Sequence, residues 1–175
     1  NYTGMVGFYD GISHPVLGLD HFLAMISVGI LSAQIGGRAI WTVPSTFVCI
    51  MTIGGLLGFF FNIDDHFFIE AGITLSVILL GFGISIEKKM PTALIIIFVG
   101  IFGLFHGAAH GIEMPKAANP FLFVLGFICG TSTLHLFGVG IGYYLIKTTI
   151  SSILLRLTGI IFAFYGLYLL LAWLL

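Results

Sequence analysis

The chain has 175 residues, 59% of them hydrophobic and only 7% charged, with a formal net charge of −1 and a mean hydropathy of +1.17. A soluble domain carries roughly a quarter charged residues, so these figures exclude one and define an integral membrane protein. The near-neutral balance, with no basic cluster, argues against nucleic acid as a partner. Long unbroken apolar runs argue against a β-barrel, whose spans alternate over about ten residues.

Residues 1–175 read as a single transmembrane helical domain, with residues 1–13 as a periplasmic or interfacial lead-in. The first span opens at His14-Pro15, where Pro15 suits the first helical position, and runs to about Gly36-Gly37. Trp41 and Pro44 open the second span, which ends near Phe61, and the polar turn from Asn62 to His66 leads into a third span reaching Ile86. Glu87-Lys88-Lys89-Met90-Pro91 is the clearest break. The fourth span closes on the stretch from Gly103 to Pro115, the fifth runs from about residue 121 to 146, and the sixth follows the turn at 147–152. The expected fold class is all-α, a polytopic bundle of six spans of roughly twenty residues each.

Small residues at helical spacing (Gly54 with Gly58, Gly138 with Gly142, and Gly103, Gly107 and Gly111) mark close helix contacts. Cys49 and Cys129 fall inside apolar runs and read as small buried side chains. Spans one to three show no persuasive self-similarity to spans four to six, so an inverted repeat receives little weight.

Basic residues set the orientation. With the first residue outside, Arg38, Lys88, Lys89, Lys147 and Arg156 fall on the cytoplasmic side and only Lys116 outside. Both termini are therefore expected on the periplasmic side. The chain opens on Asn1, not Met, so residues are expected to have been removed before it, a cleaved signal peptide being one of two alternatives and an artificial leader the other.

On a continuous helix His106 and His110 stand one turn apart on one face, with Glu113 on the next turn. A histidine pair at this spacing can chelate one metal ion, and ionisable groups inside a membrane span are costly enough to mark function. The second constellation is His14, Asp20 and His21. A regular helix would separate the two histidines by roughly 10 Å. Either Gly18 breaks the helix or the two serve successive sites. Asp20 needs a partner there, a metal or the ring N–H of a histidine.

His66 and Glu70, one turn apart beside Asp64 and Asp65, form an acidic rim or a ligand pair; His135, roughly 20 Å into span five, is a candidate pathway residue. The donor set is imidazole and carboxylate without a thiolate cluster, which fits a first-row divalent transition metal, Ni²⁺, Co²⁺, Zn²⁺, Fe²⁺ or Cu²⁺. The residues alone do not choose among these.

His14-Pro15, Gly18-Leu19-Asp20-His21, Gly36-Gly37-Arg38-Ala39, Glu70-Ala71-Gly72-Ile73 with Ser76, Phe105-His106-Gly107-Ala108-Ala109-His110-Gly111 with Glu113, and Thr133-Leu134-His135 together resemble the HupE/UreJ hydrogenase- and urease-accessory proteins. The resemblance covers almost the whole chain in order. It departs at Ala108, where many members have a further histidine. It implies a nickel, or second cobalt, permease of the bacterial inner membrane with six spans, in which His14, Asp20, His21, His106, His110 and Glu113 carry metal recognition. The expected function is thus a secondary transporter with no prosthetic group and no enzymatic activity. A membrane metalloenzyme and a non-transporting metal chaperone or assembly subunit are the rival classes. The expected partners are the divalent ion and the lipid bilayer, with a homo-oligomer or metalloenzyme maturation proteins left open.

Overall fold

The computed structural model describes residues 6–61, 66–86, 90–116 and 118–175. Among them are seven helices and no strand: α1 (Val6–Leu17), α2 (Leu19–Ile35), α3 (Ala39–Phe61), α4 (His66–Ile86), α5 (Thr92–Ile112), α6 (Pro120–Leu145) and α7 (Thr149–Leu174). Helices α3 to α7 are each long and apolar enough to cross a membrane, and α1 with α2 qualifies as a sixth span bent by 78°. In hydrocarbon a helix satisfies all its backbone groups within one segment, so apolar runs of this length adopt it. Local signals fix the ends. Asn119 caps α6 by accepting hydrogen bonds from the Phe121 and Leu122 amides at 3.0 and 3.2 Å, with Pro120 in the first turn. Between α2 and α3 the chain turns through Gly36 and Gly37 at φ 76° and 59°, a left-handed conformation that favours glycine.

The helices associate mainly in pairs: α3 beside α5, α2 beside α6, and α4 beside α7, with α1 lying on α6. Small residues permit the approach. A Cβ at Gly107 would fall on the Met51 carbonyl, and one at Gly54 on the Leu104 carbonyl. The glycine stripe of α5 thus docks α3, which carries no histidine or acid. Additional histidines reach α5 from α1 and α2 instead.

Two expectations change. Residues 6–17 are helical and Pro15 lies inside that helix, whereas the sequence suggested a lead-in ending where a span begins. A helix this short is marginal alone; it gains support from α6, whose backbone at Phe123 and Phe127 closes on Gly11. Cys49 and Cys129 are exposed on the protein surface. The buried side of α3 runs through Val43, Phe47, Met51 and Gly55, and position 49 lies off that stripe at helical spacing. Asp64, Asp65, Glu87, Lys88 and Lys89, which entered the acidic-rim and charge-asymmetry readings, lie outside the described residues.

Candidate metal centre

Gly18 is where the site is made. It caps α2 in an extended conformation (φ −75°, ψ 108°), and its N–H still donates to the His14 carbonyl at 3.1 Å. Any residue adopts this backbone; what glycine supplies is room. A Cβ there would lie 3.2 Å from Asp20 Oδ1 and 3.4 Å from His21 Nδ1. The bend brings the His14 and His21 rings to 5.6 Å between centroids, a separation that a straight helix forbids.

Helix α5 supplies the third ring. His110 lies 4.7 Å from His14 and 5.0 Å from His21, centroid to centroid. One ring nitrogen from each of His14, His21 and His110 falls within 4.8 Å of the others, a grouping that could hold a metal ion. His110 is fully buried, stacked on Phe127 at 5.0 Å with the rings 4° from parallel. Both His110 nitrogens and His21 Nε2 have no hydrogen-bond partner among the described residues. Buried polar atoms left this way are costly, and a cation would satisfy them.

Two carboxylates hold the His14 and His21 rings. Asp20 Oδ1 accepts from the His21 amide at 2.7 Å and lies 3.0 Å from His21 Nδ1. Glu113 Oε2 lies 2.8 Å from His14 Nε2. Each carboxylate draws a ring N–H to itself and leaves the opposite nitrogen's lone pair available, the usual way a metal-binding histidine is oriented. The hydrogen bond from His14 holds the Glu113 carboxyl below its ordinary range, against the opposing effect of burial.

His106 is one turn before His110 yet turns elsewhere. Its Nε2 lies 2.9 Å from Ser76 Oγ, and that hydroxyl donates to the Ile73 carbonyl at 2.6 Å. With its one proton committed, Ser76 accepts from His106 Nε2–H, which leaves His106 Nδ1 unprotonated and without a protein partner. The His106 ring remains 4.7 Å from His21. Beyond it lies Phe47, fully buried, with its ring 5.6 Å from His106 and 5.2 Å from His135. His135 is buried with both ring nitrogens unpartnered.

A cavity of about 470 Å³ opens onto the cluster, lined by Asp10, Ser13, Asp20, Glu70 and Glu113 besides His14 and His21. Glu70 thus shares this vestibule, while His66 is exposed at the start of α4. A second cavity of about 280 Å³, between α3 and α6, reaches His135, Ser132 and Cys49. Phe47, Phe127 and Ser13 carry no signal in the sequence, where aromatic and hydroxyl residues are abundant. Asp10 is legible only as one of seven acids.

A bundle of apolar helices with three imidazoles converging from two directions defines a multi-pass membrane protein with a candidate metal-binding cluster. The chain belongs to the HupE / UreJ protein family, whose profile matches residues 1–169. It is similar to Protein HupE of Rhizobium leguminosarum bv. viciae, with 44% identity over 137 residues, covering 77% of this chain and 70% of that protein. No solved structure matches it.

Proposed function

We propose that this protein is a permease of the bacterial inner membrane for a divalent transition metal ion, nickel first and cobalt second. The observation that carries the reading is the convergence of His14, His21 and His110 within 4.8 Å, with His14 and His21 lining an acid-lined vestibule and His110 buried behind them. Glu70, Asp10 and the two orienting carboxylates attract the cation into the vestibule. Three neutral imidazoles then replace part of its hydration shell, a donor set that suits borderline metals over calcium or magnesium. Asp20 and Glu113 offset the charge of the ion where the apolar helices would otherwise penalise it.

The onward route runs past His106 Nδ1 and then His135, with Phe47 between them. Histidines at successive depths let the ion exchange ligands in steps, without a long passage through hydrocarbon. The vestibule faces the periplasm in this reading, with both termini on that side, and the delivered ion supplies metalloenzyme maturation proteins.

Uptake into proteoliposomes containing only this protein, with nickel, cobalt, zinc and iron in competition, tests the proposal. Saturable nickel entry that is lost in His110→Ala is the expected result. A tightly held, non-exchanging ion without flux would favour a metalloenzyme, and binding without flux a metal chaperone.

A further inference from the structure

The helix pairing hides a symmetry. A Cβ at Gly29 would fall on the His135 carbonyl and lie 2.7 Å from the Val139 nitrogen; one at Gly107 would fall on the Met51 carbonyl and lie 2.8 Å from the Gly55 nitrogen. Gly138 meets the Ile26 carbonyl and Gly29 Cα just as Gly54 meets the Leu104 carbonyl and Gly107 Cα. These contacts exchange when α2 is matched to α5 and α3 to α6 at constant offsets along the chain. The remaining pair maps onto itself. Gly81 faces Gly159 and the Ala163 nitrogen, while Gly159 faces Gly81 and the Ser85 nitrogen.

The matching extends to side chains at the centre. Phe47 corresponds to Thr131 and Met51 to His135. The ring contact Phe47–His135 at 5.2 Å therefore has Thr131–Met51 as its counterpart, where the hydroxyl donates to sulfur at 3.6 Å. Helices matched in this way, α2 with α5, α3 with α6 and α4 with α7, have two spans between them in the chain, so they cross a bilayer in opposite directions. We infer that α2–α4 and α5–α7 form an inverted repeat, and that the ion is released through the symmetry mate of the histidine vestibule when the two halves exchange conformations. The inference rests on the permease reading for its functional part.

The mate of the vestibule can be named. His21 corresponds to Val99, Glu113 to Ile35 and Glu70 to Thr148. In this structure that end is shut: Val99 is fully buried, and Gln34 Nε2 ties the last turn of α2 to the Ile84 carbonyl of α4 at 3.1 Å. Helix α1 has no mate among the described residues, and the imidazoles and acids of the vestibule correspond to apolar or hydroxyl residues at the other end. Binding is thus built at one end and release at the other. The glycine pairings are alike in the two halves, whereas α4 packs against both α2 and α5 while α7 barely meets α2. The halves thus stand in different arrangements that could exchange, and only one end holds the ion.

Cysteine labelling tests this in sealed proteoliposomes, using a membrane-impermeant maleimide and Ni²⁺ alone, with Cys49→Ser and Cys129→Ser as background. Leu17→Cys, 80% exposed beside the vestibule, marks the binding face. Val99→Cys should label from the opposite face, at a rate changed about tenfold by saturating nickel as the populations of the two states shift. Ile35→Cys is the second variant, half-buried and more tolerant of substitution. Protection of both positions during active nickel flux, or labelling of both from the Leu17 face, would overturn the inference. Absence of flux in the unmodified protein would instead sink the permease reading, a result read separately from the labelling pattern.

Discussion

His14 and His21 face each other with ring centroids 5.6 Å apart because the chain turns through 78° at Gly18 between them. The bend converts two residues about two helical turns apart into two walls of one site, and His110 from α5 closes the third side. The arrangement separates roles within a set of six residues. Three imidazoles converge, Asp20 and Glu113 each hold one ring nitrogen of His21 and His14, and His106 is anchored on Ser76.

That separation predicts graded losses. His21→Ala or His110→Ala should lower nickel affinity by about 100-fold or more, because each removes a donor. Asp20→Asn and Glu113→Gln should cost about 10- to 100-fold, the range for groups that orient a metal-binding histidine. Calorimetric titration of the purified variants checks the order. Equal losses at all four positions would mean that the carboxylates bind the ion directly.

Ser76→Ala should act on stability more than on binding. It leaves the buried His106 Nε2 without its partner, at a cost of about 1–3 kcal/mol, while the three converging rings stay in place. Thermal unfolding in detergent should show the loss, and nickel affinity should change by no more than about threefold, given that His106 lies outside the converging three. A collapse of affinity with unchanged Tm would contradict this division.

Acid should weaken the His14–Glu113 contact in a defined window. Glu113 titrates below its ordinary value of 4.5 because of the hydrogen bond from His14. A carboxylate depressed on folding stabilises fully above its unfolded value, and that contribution is lost as pH falls through the folded value. The Tm difference between the metal-free protein and Glu113→Gln should therefore shrink as the pH falls through and below the ordinary value of 4.5. Being partly exposed, the pair contributes modestly. A difference that grows in acid would reverse the assignment.

Glycine contacts give a paired stability test. Gly107→Ala places a methyl group on the Met51 carbonyl, backbone that cannot swing aside, and should cost about 1–3 kcal/mol as an overpacked contact. Gly100→Ala meets nothing within 4 Å and should be neutral or slightly stabilising through helix propensity, by about 0.5–1 kcal/mol. Comparing the two Tm values checks both claims at once.

Hydropathy made the six spans legible, though not the bend in the first, because the bilayer demands long apolar helices and charges gather at their ends. The pairing of His106 and His110 on one helix face was equally plain. Periodicity could not reveal that one ring turns to Ser76 and the other to His14 and His21, since rotamers answer to neighbours on other helices. The spacing of His14 and His21 left two outcomes open, and only the bend at Gly18 decided between them. Helix α1 was hidden because a short glycine-containing segment gains its helicity from α6. The internal repeat was hidden for a related reason. Backbone approach preserves small residues at a few positions, while the rest of each half diverged; His110 corresponds to Ser32, and His21 to Val99.

The most direct measurement is X-ray absorption at the nickel edge of the protein loaded with one equivalent of Ni²⁺. The account predicts scattering from three imidazoles, falling to two in His110→Ala with oxygen taking the vacated position. An ion surrounded by oxygen alone, or an imidazole count unchanged by that substitution, would contradict it.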